Sequence, residues 1–238
     1  MRKIYHLIPV LLFALLAGSG VSAQKTVNPW TEWSEMEVRK MLNDSPWGKT
    51  QDGGDAVNRH LTPPTAYDMR TIDNTAAISQ LAAKLNVRFL SAQPIRRALA
   101  RMVELNQKHP DPALREQLQN FVDRKFDDWI VIAVEYEVKE GWDSGALRQA
   151  FANSNTETLK HYTYLETSDG QRLPLQEYKA PIKDGLGAKF IFPRQVNGHP
   201  FITPGAKDVR FHSEIGRFLR INVQFKVSEM VINGNLEY

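Results

Sequence analysis

Leu219-Arg220-Ile221-Asn222-Val223-Gln224-Phe225-Lys226-Val227 alternates apolar and polar side chains without interruption. Successive side chains of a strand point to opposite faces, so the apolar residues share one face and Arg220, Asn222, Gln224 and Lys226 the other. One buried and one solvated face marks an antiparallel sheet, because parallel strands are covered on both faces and read as continuous apolar runs. Outward from this strand, Asp208 to His212 and Lys189 to Phe192 are shorter strand candidates, separated by a loop carrying Pro193, Pro200 and Pro204. Leu159 to Thr167 and Arg172 to Tyr178 flank Ser168-Asp169-Gly170-Gln171, where the Asp-Gly pair tolerates positive φ and predicts a hairpin. A short helix is expected from Ser144 to Phe151. From Trp129, Ile130, Ile132, Val134, Tyr136 and Val138 share a face, and Val131 and Ala133 make the start of that strand apolar on both sides, which predicts a central position.

Upstream of Trp129 the period lengthens to that of a helix. Asn86 to Ser91 reads as a strand, and Pro94 then fits the first turn of a helix, where its missing N–H does no harm. Ile95, Ala98, Leu99, Met102, Val103 and Leu105 line one side of that helix, with Arg97, Arg101, Glu104 and Lys108 on the other. His109-Pro110-Asp111-Pro112 breaks it, and a second helix to Asp127 buries Leu114, Leu118, Phe121, Val122 and Phe126. A further helix is expected near Ala76 to Lys84. Nearer the start, Ser34 and Glu37 have capping-box spacing, Val38, Met41 and Leu42 form a helical stripe, and Asn43-Asp44-Ser45-Pro46 ends it. Gln51 to Pro64, rich in Gly, Asp and Pro, reads as a linker or surface loop.

Residues 1–23 read as an export signal. Arg2 and Lys3 precede an apolar run from Leu7 to Ala17, and Val21-Ser22-Ala23 offers the small residues a signal peptidase recognises. That run is too short to cross a bilayer, which takes about 20 residues. The expected mature chain begins near Gln24 and works outside the cytoplasm, periplasmic or secreted. Losing Arg2 and Lys3 removes two charges from a formal net of +3, and so small a balance gives no electrostatic footing for nucleic acid or an anionic membrane. The chain has no cysteine, which excludes disulfides, thiolate metal sites, a cysteine nucleophile and the lipid anchor of a bacterial lipoprotein. No later stretch is apolar long enough for a transmembrane helix.

The reading thus divides the chain into a signal peptide (1–23), an N-terminal helix and linker (24–64) and an α+β domain (65–238). The expected fold is an antiparallel sheet or sandwich with an inserted two-helix hairpin and an N-terminal helix docked through tryptophans. An outer-membrane barrel is excluded, because residues 30–128 are mainly helical in pattern and a barrel needs strands throughout.

No nucleophile elbow, zinc-binding HExxH, phosphate loop, dinucleotide glycine fingerprint or EF-hand loop is present. His60, His109, His161, His199 and His212 have no helical ligand spacing, so neither a metal nor a cofactor is expected. Glu135 and Glu137 share a strand face with Cα atoms roughly 6.5–7 Å apart; paired carboxylates near that separation serve glycoside hydrolysis, against the plainer reading of solvent-facing charges. Trp30, Trp33 and Trp47, with Trp142 further on, offer flat faces that stack on sugars, against the plainer reading of anchors for the first helix. Arg96, Arg97 and Arg101 form a basic stripe that a solvated helix face explains better than an anion site.

Three segments carry a resemblance. They are Ser45-Pro46-Trp47-Gly48-Lys49 after the tryptophan-led helix, the junction Val87-Arg88-Phe89-Leu90-Ser91-Ala92-Gln93-Pro94-Ile95-Arg96, and the end of the last strand at Glu229-Met230-Val231 and Gly234. The chain resembles an uncharacterised family of exported bacterial proteins of similar size, a resemblance that implies export and no site residues. The expected function is a non-enzymatic binding or structural partner in the cell envelope, engaging an envelope protein or a glycan. The alternatives are a glycan hydrolase using Glu135 and Glu137 and a glycan-binding module using Trp30, Trp33 and Trp47.

Overall fold

The alternating stretch becomes strand β11 (Leu219–Lys226) in the computed structural model, which describes residues 28–53, 83–107, 111–140, 144–216 and 219–238. Leu219, Ile221, Val223 and Phe225 are buried and Asn222, Gln224 and Lys226 exposed, as the alternation requires. β11 pairs with β10 (Asp208–Ile215), and β10 with β4 (Tyr164–Thr167). β4 and β5 (Arg172–Pro174) form the expected hairpin, in which Gly170 takes a φ of 84° that costs glycine nothing.

A second sheet has the order β1–β2–β3–β7–β6. Its strands are β1 (Gly48–Asp52), β2 (Ala83–Phe89), β3 (Trp129–Val138), β6 (Glu177–Lys179) and β7 (Ala188–Pro193). All pairs in both sheets are antiparallel, and β3 is the central strand. The sheets stack through their apolar faces: Phe89 meets Phe225 edge-on at 4.8 Å, and Phe211 receives Phe190 at 5.1 Å and Phe192 at 6.2 Å. Small hairpins follow, β8 (Gln195–Val196) with β9 (His199–Pro200) and β12 (Val231–Ile232) with β13 (Asn235–Leu236).

The first helix packs on the outer face of the five-stranded sheet, against β1 and β2. Helix α1 (Glu35–Asn43) opens on the Ser34/Glu37 capping box, with both reciprocal bonds made. Gly48 follows it, and a Cβ there would lie 2.3 Å from the Leu42 carbonyl oxygen, so the turn from α1 into β1 needs glycine. Helices α2 (Gln93–Leu105) and α3 (Pro112–Asp123) form the hairpin inserted between β2 and β3. Ile95, Ala98 and Leu99 of α2 join the main core, while Ala100 packs with Leu118 and Val122 of α3. Helices α4 (Gly145–Asn153) and α5 (Thr156–Leu159) connect β3 to β4, and Phe151 stacks on Tyr136 at 5.5 Å. The molecule is α+β, with the hairpin and the docked first helix in the expected places.

Several boundaries differ from the expectation. Ala83 and Lys84, placed in a helix by sequence, begin β2; that strand is buried on both faces and so shows little alternation. Gln51 and Asp52, placed in a loop, end β1. The strand expected over Arg172–Tyr178 is two strands, β5 and β6, in different sheets. The second hairpin helix stops at Asp123, so Phe126 lies beyond it. Residues 1–27, most of the expected loop and 76–84 helix, and His60, His109 and Trp142 lie outside the described residues.

Candidate functional site

Glu135 and Glu137 sit on the outer face of β3, beside α1 and β2. Arg88 on the neighbouring strand donates from Nη1 to Glu135 at 2.8 Å, and Asn86 Nδ2 donates to Glu137 at 2.7 Å. Arg88 also binds the end of α1, through Nε to the Leu42 carbonyl at 3.1 Å and Nη2 to Asn43 Oδ1 at 2.9 Å. The two carboxylates thus belong to a network that fastens α1 to the sheet, and neither lines the clefts described next.

The tryptophans part company. Trp47 is buried, and its indole N–H donates to the Glu237 carbonyl at 2.7 Å, tying the α1–β1 turn to the segment after β13. Trp33 is half-buried against the main core, with its indole N–H on the Asn28 carbonyl. Trp30 packs partly buried against the α2–α3 contact. Of the described histidines, His212 lies on the outer face of the four-stranded sheet, stacked on Tyr164 at 4.8 Å, while Arg172 on the other neighbouring strand lies 4.4 Å from the same ring. Among the described residues no group of His, Asp and Glu is gathered in a way that could hold a metal.

Sequence reasoning misplaced Arg96. It is not on a solvated helix face but 4 % exposed, folded back beneath the α2 N-terminus. Its Nε donates to the Val122 carbonyl at 3.2 Å, and Nη1 to the carbonyls of Leu90, at 3.3 Å, and Ser91. All three acceptors are neutral, and among the described residues no carboxylate lies within 4 Å of the guanidinium. Burial pushes its pKa down to about 10, opposed chiefly by the nearby Glu237 charge, so it stays cationic at neutral pH.

Arg96 forms the floor of a cleft of about 290 Å³ between the start of α2, the segment after α3 and the last residues of the chain. Arg124, Lys125 and Arg194 also line it, and neither Arg124 nor Lys125 is ion-paired among the described residues. Three guanidiniums lie near two aromatic rings: Arg96 and Arg124 are 4.9 and 5.3 Å from the Phe126 ring, and Arg194 is 3.8 Å from that of Tyr238. Arg194 Nη1 donates to the Tyr238 carbonyl at 2.5 Å, and the buried Tyr238 hydroxyl donates to the Ile202 carbonyl at 3.0 Å.

Three carboxylates share the cleft: Asp123, Asp127 and Glu237. Glu237 accepts the Gln93 N–H at 2.7 Å, capping α2 in place of Ala92, which has no side-chain acceptor. Asp123 accepts from Gln119 at 2.6 Å. A second cleft, of about 360 Å³, lies between the Asp169 hairpin and the β8–β9 turn, but it holds no such cluster of cations, and Asp169 is occupied by Thr167 and Gln171.

The cleft draws its residues from four separate stretches, and the one sequence clue to it was the doubled arginine after Pro94. Compared with protein-family models, curated proteins and solved structures, the chain matches none of them.

Proposed function

We propose that this chain is an exported bacterial protein that binds a ligand or partner in the cell envelope and catalyses nothing itself. The cationic cleft carries this reading. A buried arginine with no carboxylate within 4 Å among the described residues, beside Arg124 and Lys125, which make no ion pair among them, suits a negatively charged group. Glu135 and Glu137 support the non-enzymatic side of the proposal, since each is held by a hydrogen bond to β2 and Glu135 serves to neutralise Arg88. The export pattern of residues 1–23 supports the envelope as the place of action, as does the resemblance to exported bacterial proteins.

Fractionation of the producing cell, with mass spectrometry of the intact chain, tests the address: the proposal expects a chain starting near Gln24 outside the cytosol. Affinity capture from envelope extract tests the role, comparing wild type with an Arg124→Gln/Lys125→Gln variant. A defined component retained by the first and lost by the second supports the reading. A cytosolic chain that keeps Met1, or capture of nothing by either form, contradicts it.

A further inference from the structure

Building on the binding role just proposed, we infer that the cleft takes an oxyanion, a carboxylate or phosphate group on a small ligand, gripped by the edges of Arg124 and Arg194 above the fixed charge of Arg96. The Arg124 guanidinium carbon lies 5.3 Å from the Phe126 ring centroid, and among the described residues Arg124 makes no hydrogen bond. A guanidinium stacked on a ring keeps its N–H edges free, and that planar fork matches two oxygens of a carboxylate or phosphate. Arg194 is held more firmly, its guanidinium carbon 3.8 Å from the Tyr238 ring centroid and its Nη1 donating to the Tyr238 and Phe126 backbone oxygens. Lys125 adds an exposed point charge at the rim.

The chain already seats one carboxylate here, because Glu237 lies at the α2 N-terminus close enough to favour the charged form of Arg96. Of the other two acids, Asp123 is turned to Gln119, which leaves Asp127 as the one without a hydrogen bond among the described residues. With Glu237 and Asp123 engaged, and with Arg124 and Lys125 making no hydrogen bond or ion pair among the described residues, the cleft has donors left for one further oxyanion. Its volume of about 290 Å³ is at the lower end for small-molecule sites, roughly 300–1,000 Å³, and so fits a small anion or the acidic end of a larger ligand.

The test titrates the full chain with inorganic phosphate and with succinate, against chloride at matched ionic strength, by calorimetry. Saturable binding of either anion, weakened about tenfold by Arg124→Gln and about threefold by Lys125→Gln, is the expected result. Arg124 and Lys125 make no hydrogen bond or ion pair among the described residues, so neither change threatens the fold. Lys179→Gln, on the exposed edge strand β6, should titrate like wild type. A preference for phosphate assigns the ligand a phosphoryl group, and a preference for succinate assigns a carboxylate. No binding of either anion at 10 mM, or equal affinity in wild type and Arg124→Gln, overturns the inference. Should envelope capture still succeed in that case, the oxyanion chemistry is wrong while the binding role stands.

Discussion

Arg88 and Arg96 lie on consecutive elements and are equally buried, each 4 % exposed, but the protein treats their charges differently. Arg88 spends its donors on Leu42, Asn43 and Glu135, so its charge is met by a carboxylate at 2.8 Å and it acts as a rivet between α1 and the sheet. Arg96 hydrogen-bonds carbonyls alone, and the carboxylates that favour its charge, Glu237 and Asp123, act without touching it. Burial is costly for any ion, and a partner removes that cost only when it carries the opposite charge. A buried arginine without one is explained either by the acceptors it satisfies or by something it is meant to receive. Arg96 satisfies three acceptors, and the proposed ligand would supply the second explanation.

The largest effects should come from deleting the arginines. Arg96→Ala strips the donor from three buried carbonyls, at about 1–3 kcal/mol each when left unsatisfied, and should cost about 4 kcal/mol in urea unfolding. Arg88→Ala should cost about 3 kcal/mol, because Glu135, whose side chain is 35 % exposed, regains water when its partner goes. If Arg88→Ala cost under about 1 kcal/mol, the rivet would be a surface pair and the contrast would fail.

Removing the acids sharpens the comparison. Glu135→Gln takes the one carboxylate from a buried guanidinium and should cost about 2 kcal/mol. Glu237→Gln keeps an oxygen for the Gln93 N–H and loses only a charge at longer range, so about 1 kcal/mol is expected. Equal losses would mean that Arg96 depends on Glu237 as Arg88 does on Glu135. Trp47→Phe removes the indole bond to Glu237 that links the two regions, and should lower stability by about 1 kcal/mol.

The smallest effect concerns a third case, a half-buried cation precursor that the protein keeps neutral. Burial holds the His212 imidazole below its ordinary range. As pH falls past the unfolded value of about 6.5, the unfolded chain takes up the proton first, so stability present above that pH declines below it. Urea midpoints of wild type should therefore fall between pH 7 and pH 5, and His212→Gln should flatten that slope slightly. An unchanged slope would show that His212 titrates normally.

What the sequence showed of this arrangement follows from the same physics. Residues 219–227 announced their strand because one face is wet, and the Ser34/Glu37 box announced α1 because both partners are local. β1 was missed because Gly-Lys-Thr-Gln-Asp carries no apolar alternation; its pairing with β2 comes from backbone bonds that composition does not record. Arg96 was misread because periodicity assigns arginine to water, whereas a long side chain can turn back to carbonyls of the turn before its helix. The cleft was out of reach of any local pattern, since Glu237 bonds a residue 144 positions away. Nothing in the spacing of Glu135 and Glu137 revealed that Arg88 and Asn86 would hold them.

Side-chain Nε–Hε resonances of Arg88 and Arg96, followed during a phosphate titration of the full chain, test the central contrast most directly. A saturable shift at Arg96 and its neighbours Arg124 and Arg194, with Arg88 unmoved, is the expected result. Equal movement of both buried arginines, or none at either, would contradict the claim that one charge is answered within the fold and the other is left for a ligand.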